Sequence, residues 1–322
     1  MPHSRTLITG GGGFIGAAVA RALVKRGEKV AVIDRVRPKA MWRDDPIESA
    51  EFLAGDVLDP SNLEPAMQAF KPDRMVHSAA VVGAGLSIDA PAKTVTTNVV
   101  GITNVLDAAR KVGVGRTVFI SSQSVYGQGQ YEPVDEKHPT EPESPYGATK
   151  LASEKLGEVY RRCFGIDFVS LRMSHIYGPG RPGGLRGNTI QEMLEAALAN
   201  TPWMMKSGGD QTKEPSHIDD ITAAVCAALD TPAEALAARV FNVGSGEVVT
   251  WKQIAAIVRE MFPHASLDIG PGMTLIRPGI YEQMLGPLDI TLAERVLGFK
   301  PRYRIRAGLE HFARWLSQHQ GR

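Results

Sequence analysis

The sequence predicts an α/β fold, in which a doubly wound parallel sheet is joined to a smaller, discontinuous C-terminal lobe. Short apolar, strand-like segments alternate with helix-like segments through the first half of the chain, which is typical of parallel β-α-β units. The first strand runs into a glycine-rich turn and a helix, and long loops replace the alternation after residue 173. We therefore assign residues 1–173 and 217–247 to the sheet domain and residues 174–216 and 248–322 to the second lobe.

The individual elements follow from local apolar periodicity. Strand-like runs lie at residues 5–9, 29–33, 50–54, 74–77, 116–120, 165–173 and 239–244. Helix-like patterns lie at residues 17–25, 60–70, 91–112, 146–164, 215–229, 251–262, 292–297 and 305–319. The polar, proline-broken segment 36–49 predicts a loop or a short helix, and the small-residue segment 83–90 predicts a loop that covers the substrate.

The glycines after the first strand have the spacing G-x-x-G-x-x-G, at Gly10, Gly13 and Gly16. A strand, a glycine turn and a helix in this order form the dinucleotide-binding pattern of Rossmann-type folds. Glycine lets the backbone approach a pyrophosphate, and the helix N-terminus supplies N–H groups and a positive dipole end. We therefore predict that Gly10, Gly13, Phe14 and Ile15 bind the cofactor; a glycine-rich turn without a ligand is the alternative.

Asp34 ends the second strand, about twenty residues after the glycine turn. A carboxylate at this place accepts hydrogen bonds from the adenosine ribose hydroxyls and repels a 2′-phosphate, which favours NAD over NADP. Arg35 beside it favours NADP instead, because an arginine can hold that phosphate.

Tyr146 and Lys150 lie four residues apart, in a helix that Ser144 caps and Pro145 starts. A helix places the two side chains on one face, one turn apart. An ammonium beside a phenol favours the phenolate, so we expect a lowered pKa for Tyr146 and acid/base chemistry near neutral pH. The alternative is a tyrosine on the core face with a solvated lysine.

A serine-rich segment, Ser122-Gln123-Ser124, follows the fifth strand. It lies at the C-terminal end of that strand, where open α/β sheets bind ligands. Ser122 can hydrogen-bond the reacting oxygen there while Tyr146 moves the proton. A serine-rich turn without a ligand is the alternative.

In order, these motifs resemble the extended short-chain dehydrogenase/reductase family, in its epimerase/dehydratase branch, over nearly the whole chain. Thr9 to Gly16 match T-G-x-x-G-x-x-G, Gly55 to Val57 match G-D-[VIL], and His77 to Ala80 match H-x-A-A. Asn98 matches the asparagine of T-N-V-x-G-T. The resemblance implies NAD as the cofactor. Besides the glycine turn, the residues assigned to NAD are Asp34, Arg35, Asp56, Val57, Ala79, Ala80, Asn98, Tyr146 and Lys150.

Ser122, Tyr146 and Lys150 fall on the Ser/Thr–Tyr–Lys triad of that family. The resemblance implies that Tyr146 removes a hydroxyl proton as hydride leaves for NAD, while Lys150 holds the nicotinamide ribose. Ser122 then holds the oxygen as it becomes a carbonyl. The resemblance also implies a homodimer through the helices at about 91–112 and 145–164.

The residues after Ser122 argue against two reactions of the branch. Sugar-nucleotide dehydratases carry an Asp-Glu pair where this chain has Gln123 and Ser124, and the related decarboxylases use a Glu at the second position. Neither side chain here is an acid or base near neutral pH. The segment therefore favours an epimerase or a simple dehydrogenase.

Two of the three diphosphate anchors of the family are altered. His175 replaces the asparagine of R-x-x-N-x-Y-G-P and Lys213 replaces the arginine of R-D-F, whereas Arg277-Pro278-Gly279 matches the R-P-G of R-P-G-D without the aspartate. Lysine binds phosphate without the bidentate fork of arginine. His175 is either a hydrogen-bonded pocket residue or a contact to a carboxylate or hydroxyl of a smaller substrate. The predicted substrate contacts are Ser122, Gln123, Ser124, Tyr146, His175, Lys213 and Arg277.

Three functions are consistent with these residues. The first is an epimerase of a sugar or nucleotide sugar that keeps its NADH and reduces the intermediate from the other face. The second is a dehydrogenase of a smaller polyol, sugar acid or hydroxy acid that releases NADH. The third is an NAD-binding regulator without redox activity, which the complete triad disfavours.

The composition of the 322 residues excludes several partners. Lys+Arg 36 against Asp+Glu 35 is balanced, and no basic block in the sequence suggests nucleic acid. No signal peptide or apolar run of membrane length is evident, so we expect a cytoplasmic protein. Cys163 and Cys226 have no metal-ligand spacing and the histidines form no H-x-x-x-H pattern, so we predict buried thiols and no metal.

Overall fold

The computed structural model describes residues 4–181 and 188–319. The strands are β1 Arg5–Thr9, β2 Lys29–Asp34, β3 Glu51–Ala54, β4 Arg74–His77, β5 Arg116–Ser122, β6 Asp167–Met173, β7 His175–Tyr177, β8 Trp203–Met205, β9 Thr212–Lys213, β10 Pro215–His217, β11 Val240–Val243, β12 Val249–Thr250, β13 Leu267–Ile269, β14 Leu275–Arg277 and β15 Ile280–Tyr281. The α-helices are α1 Phe14–Lys25, α2 Pro60–Phe70, α3 Ala84–Asp89, α4 Pro91–Val95, α5 Gly101–Val112, α6 Pro145–Phe164, α7 Thr189–Ala199, α8 Ile218–Asp230, α9 Trp251–Met261, α10 Thr291–Leu297 and α11 Ile305–His319. A π-helical turn spans Thr96–Val100, and short 3-10 helices span Pro46–Ser49, Gln123–Val125 and Ala233–Ala235.

Seven strands form one sheet in the order β11-β6-β5-β4-β1-β2-β3, and every neighbouring pair is parallel. The chain leaves β1 in one direction, to β2 and β3, and later returns to its other side with β4. The strand order therefore reverses between β1 and β4, and ligands bind at such a switch point in open α/β sheets. This sheet confirms the predicted fold class.

Helices cover both faces of the sheet, and the side chains of each strand point alternately to one face and to the other. Leu7 of β1 packs with residues of α2 and α5, whereas its neighbour Ile8 packs with residues of α1 and α8. Successive strand side chains point to opposite faces, so a strand buried on both sides reads as a continuous apolar run. β5 is buried along its whole length for this reason.

A separate apolar cluster lies outside the sheet and is built mainly from α7, α9 and α11, with Met193, Ile254 and Phe312 fully buried. The predicted lobe boundaries stay a prediction. Helix α10, which lies within the predicted second lobe, packs against α8 and β11 and contributes Ala293 and Leu297 to the cluster on the sheet.

Three local predictions need correction. Residues 84–89 form α3 rather than a loop, and residues 215–217 form β10, which pairs with β7, rather than the start of α8. The predicted helix 91–112 is interrupted by the π turn at 96–100. Periodicity reports only local pattern, so it could not show that residues 215–217 pair with β7.

Candidate active site

The C-terminal end of β5 and the first turns of α6 carry the predicted triad. The Ser144 hydroxyl accepts a hydrogen bond from the Gly147 N–H (3.1 Å) and so caps α6. Tyr146 and Lys150 are 8% and 3% exposed, and Ser122 ends β5. The Ser122 side chain lies close enough to the Tyr146 hydroxyl to lower the pKa of that phenol. The structure therefore brings the three predicted residues together.

Lys150 bridges the helix and the sheet. Its Nζ donates to the carbonyl oxygen of Ile120 (2.7 Å) and lies 5.7 Å from the centroid of the Tyr146 ring. Burial lowers the pKa of Lys150 to about 7, and the Glu154 carboxylate acts in the opposite direction.

The expected fall in the pKa of Tyr146 is wrong for this structure. Burial raises the pKa of Tyr146 to about 12, and the Ser122 side chain offsets only part of that rise. A phenolate in an apolar surrounding loses its hydration, and this loss outweighs the nearby charge. Tyr146 is therefore a neutral phenol in the free protein, a state in which it can donate a proton.

The glycine turn lies against the end of β4. Gly10 has a φ of +73°, and a Cβ added to it would lie 2.5 Å from the backbone nitrogen of Ala79. The Gly13 N–H donates to the Gly10 carbonyl oxygen (3.0 Å), and the Gly13 carbonyl oxygen accepts the first bond of α1 from Ala17. Phe14 opens α1. The crevice is thus lined by glycine backbone, and larger residues at these positions would fill the space that a pyrophosphate needs. This edge therefore fits a dinucleotide.

Asp34 faces the glycine turn from the end of β2. Its Oδ2 accepts from the Gly12 N–H (2.9 Å) and its Oδ1 from the Val36 N–H (3.2 Å). Arg35 is largely exposed, and its guanidinium lies 3.9 Å from the Asp56 carboxylate. Asp34, Arg35 and Asp56 are therefore neighbours, and the two carboxylates among them disfavour a 2′-phosphate at this edge.

Asn98 lies in the π turn and is 3% exposed. Its Oδ1 accepts from the Val81 N–H (2.7 Å), and its Nδ2 donates to the Val81 carbonyl oxygen (3.1 Å) and to the Thr149 hydroxyl (2.9 Å). Thr149 precedes Lys150 on α6. Asn98 thus ties the segment after Ala79 and Ala80 to the catalytic helix, and π turns of this kind are frequent at functional sites.

The predicted substrate contacts have a more varied setting. Ser122 Oγ accepts from the Ser124 N–H (3.1 Å), which turns the chain at Gln123 after β5. The His175 ring packs edge-on against Trp251 at 5.7 Å between ring centroids. Burial lowers the pKa of His175 to about 3, so it is a neutral hydrogen-bonding group.

Both candidate phosphate-binding cations already have carboxylate partners. Lys213 Nζ lies 2.5 Å from Glu282 Oε1, and Arg277 pairs with Asp89. A substrate phosphate would have to replace these carboxylates or join them.

Sequence reasoning missed a buried group behind the triad. Glu154 follows Lys150 by four residues on α6, accepts from the Ser121 hydroxyl (2.5 Å) and pairs with Arg172 of β6 (2.7 Å). The signal was present in the spacing Tyr146, Lys150, Glu154, which places all three on one face of a helix.

A second cluster brings together His217, Asp219 and His311, whose candidate ligand atoms lie within 4.8 Å of one another. His217 Nδ1 accepts from the Asp219 N–H (3.2 Å) and its Nε2 lies 3.1 Å from His311 Nδ1. Both nitrogens of His217 thus already have protein partners. The predicted absence of a metal stays a prediction.

Across the part of the chain that the structure describes, no helix combines the length and the apolar character needed to cross a membrane.

A parallel Rossmann-type sheet, a glycine turn at its switch point and a buried serine–tyrosine–lysine set at the same edge define an NAD-dependent enzyme of the short-chain dehydrogenase/reductase type. The model of the NAD dependent epimerase/dehydratase family matches residues 6–244. The chain belongs to this family.

Curated and solved relatives match almost the entire chain. The UDP-glucose 4-epimerase of Mycolicibacterium smegmatis is 29% identical over 310 residues, which cover 95% of this chain and 96% of that protein. The crystal structure of UDP-glucose 4-epimerase with UDP-glucose from Thermotoga maritima has a TM-score of 0.86 at 25% identity and covers 98% of this chain and 99% of that one. The Thermus thermophilus UDP-glucose 4-epimerase complex with NAD has a TM-score of 0.82 at 28% identity and covers 96% and 98%.

Proposed function

We propose that this protein is an NAD-dependent 4-epimerase of a nucleotide sugar, with a UDP-hexose as the substrate. The observation that carries the proposal is the buried set of Ser122, Tyr146 and Lys150 at the dinucleotide edge, without an acid at Gln123 or Ser124. Such a set supports oxidation and reduction at a hydroxyl carbon but offers no group for elimination. The similarity to UDP-glucose 4-epimerases over almost the full chain supports the substrate class.

Tyr146 is assigned the proton transfer. Bound NAD would supply the nicotinamide as the hydride acceptor. The Tyr146 phenol must first lose its own proton to solvent; the phenolate then accepts the proton of the substrate hydroxyl during oxidation, and the phenol returns that proton during reduction. The Ser122 hydroxyl, which is next to that of Tyr146, donates a hydrogen bond to the substrate oxygen as this oxygen becomes a carbonyl. The Lys150 ammonium favours the anionic form of the phenol at the moment when the proton leaves.

Cofactor binding is assigned to the crevice between β1 and β4. Gly10, Gly13, Phe14 and Ile15 would hold the pyrophosphate through backbone N–H groups, and Asp34 would accept from the adenosine ribose. The remaining contacts are assigned to Arg35, Asp56, Val57, Ala79, Ala80, Asn98, Tyr146 and Lys150.

A dehydrogenase of a smaller polyol, sugar acid or hydroxy acid is the second candidate. The pairs Lys213–Glu282 and Arg277–Asp89 favour it, because both candidate diphosphate anchors are neutralised by carboxylates. His175, a neutral ring in place of an amide, is suited to a hydroxyl or a carboxylate.

One experiment separates the two candidates. The purified protein is incubated with NAD and a panel of UDP-hexoses, sugar acids and polyols, while the reduced-nicotinamide absorbance is followed and products are identified by NMR. An isomerised UDP-hexose without net NADH supports the epimerase. Stoichiometric NADH with an oxidised small product would instead establish the dehydrogenase and refute the epimerase.

We also propose a cytoplasmic homodimer formed through α4, α5 and α6, with substrate bound between the two predicted lobes. Val95, Val100, Val159 and Phe164 are exposed apolar residues on these helices or the π turn between them, and such patches mark contact surfaces. Val100→Glu should shift the mass measured by light scattering from dimer to monomer. Met204→Glu, at an exposed residue of β8, is the matched control, and an unchanged mass for Val100→Glu would refute this interface.

A further inference from the structure

Glu154 and Lys150 both connect α6 to the C-terminal end of β5. Lys150 Nζ donates to the carbonyl oxygen of Ile120 (2.7 Å), and the hydroxyl of Ser121 donates to Glu154 Oε1 (2.5 Å). The next residue of the strand is Ser122, which is assigned to the substrate oxygen. The carboxylate of Glu154 therefore fixes the residue that lies between the lysine contact and the catalytic serine.

Glu154 is itself held in a single geometry. It is buried, and Arg172 donates to it from Nη2 (2.7 Å) and from Nε (3.0 Å to Oε1). Arg172 lies on β6 directly opposite Ser121 in the sheet register. The Arg172 Nη1 also donates to the Tyr126 hydroxyl (3.0 Å). Charge-assisted bonds of this kind are short and directional, so the carboxylate cannot move without disturbing two strands.

Few charges act on Lys150 from its surroundings. On α6 it faces Tyr146 and Glu154, and from β4 it faces His77, whose pKa burial lowers to about 3, so that this ring is neutral. Arg172 lies behind Glu154 and is paired with it. Burial disfavours the ammonium of Lys150, and Glu154 is the carboxylate that opposes this effect.

We propose that Glu154 is a positioning residue for the reaction: it locks the end of β5 through Ser121 and places a carboxylate one helical turn from the buried Lys150. The consequence for turnover rests on the proposed function. The charge on Lys150 is a property of the protein alone and is testable without any substrate.

The first test measures the titration of Lys150 directly. The full chain is labelled with ¹³Cε-lysine, and the Lys150 signal, assigned with Lys150→Met, is followed by NMR against pH. Glu154→Gln should lower the pKa of Lys150 by about one pH unit, the lower end of the effect of a close opposite charge. Glu158→Gln removes a half-exposed carboxylate one turn further along the same helix and should leave the titration unchanged. An unchanged Lys150 titration in Glu154→Gln would overturn the proposal.

A second variant covers the case in which Glu154→Gln does not fold because Arg172 is left buried and unpaired. Glu154→Gln combined with Arg172→Gln removes both charges. It should still lower the pKa of Lys150, but by less than Glu154→Gln alone, because the loss of Arg172 removes a positive charge that acts in the opposite direction to Glu154. A wild-type titration in the folded double variant would equally refute the proposal.

Turnover provides the last readout. With a working substrate, the alkaline limb of the kcat profile should move down by about one pH unit in Glu154→Gln, since Lys150 loses its proton earlier. Glu154→Asp, which keeps the charge, should restore the position of that limb. An equal loss of kcat at every pH would indicate a structural role only and contradict the proposal. Absence of turnover in the wild type would count against the epimerase and leave the NMR result standing.

Discussion

Asn98→Ala should destabilise the protein and loosen the catalytic helix at the same time. The Asn98 side chain makes three hydrogen bonds, two to the backbone of Val81 and one to the Thr149 hydroxyl, and it is 3% exposed. Alanine removes all three bonds and leaves the Val81 N–H and carbonyl groups without their partner. The π turn then loses its connection to α6, one residue before Lys150.

The magnitude follows from these bonds. A typical intramolecular hydrogen bond contributes about 1 kcal/mol net, and a buried group left unsatisfied costs about 1–3 kcal/mol. Asn98→Ala should therefore lower the free energy of unfolding by about 2–4 kcal/mol. Asn104→Ala is the matched control, since Asn104 lies on α5 and its side chain makes a single bond, to the Val57 carbonyl oxygen (3.0 Å). Its expected cost is about 1 kcal/mol.

Urea unfolding followed by far-UV circular dichroism compares the two variants with the wild type. An equal slope and a lower midpoint would report a change in stability rather than in the compactness of the unfolded chain. The affinity for NAD, measured by calorimetry, should fall in Asn98→Ala and stay unchanged in Asn104→Ala. If the free energy of unfolding falls by the same amount in both variants, the three hydrogen bonds of Asn98 contribute no more than the single bond of Asn104, and the expected magnitude is refuted.

Five further predictions concern the cofactor, the acid/base group and pH. Tyr146→Phe should abolish turnover while NAD still binds, whereas Tyr131→Phe, at an exposed tyrosine, should retain activity; surviving turnover in the first would remove Tyr146 from the mechanism. Asp34→Ala should weaken NAD binding and narrow its preference over NADP, and unchanged selectivity would assign that preference to Arg35 or another group. Gly10→Ala and Gly27→Ala share a positive φ, but only the first places a Cβ against Ala79, so only the first should lose NAD binding in a calorimetric titration. Burial lowers the pKa values of His77, His175 and His217 to about 3, so the unfolded chain binds more protons and the free energy of unfolding should fall from pH 6.5 towards pH 3. Burial raises the pKa of Glu214 to about 7, so the protonated carboxyl stabilises the folded protein at low pH and this contribution is lost as the pH rises to 7. Because Glu214→Gln removes this contribution, the free energy of unfolding should fall more steeply on acidification in that variant. If the free energy of unfolding of Glu214→Gln falls no more steeply than that of the wild type, Glu214 does not contribute to stability at low pH in this way.

The alternation of strands and helices could be predicted because it depends on neighbours in the chain. The bounds of β1, β4 and α2 agree with the prediction, and the glycine turn lies directly after β1. The spacing of Tyr146 and Lys150 was informative for the same reason, since four residues make about one turn of a helix.

Interactions between distant segments could not be predicted in this way. Asn98 binds Val81, and Lys213 finds Glu282 across the second half of the chain. Residues 215–217 form a strand because they pair with β7.

The sequence by itself determined the type of fold and the family and predicted a candidate triad, because each is encoded in local patterns of glycine, apolar residues and helical spacing. Only the tertiary structure decided the electrostatic state of that triad. Burial raises the pKa of Tyr146 and lowers that of Lys150, and Glu154 opposes the second shift while Arg172 holds Glu154 in place. The physical reason is that desolvation depends on every segment that packs around a group, whereas spacing along a helix reports only which side chains share a face.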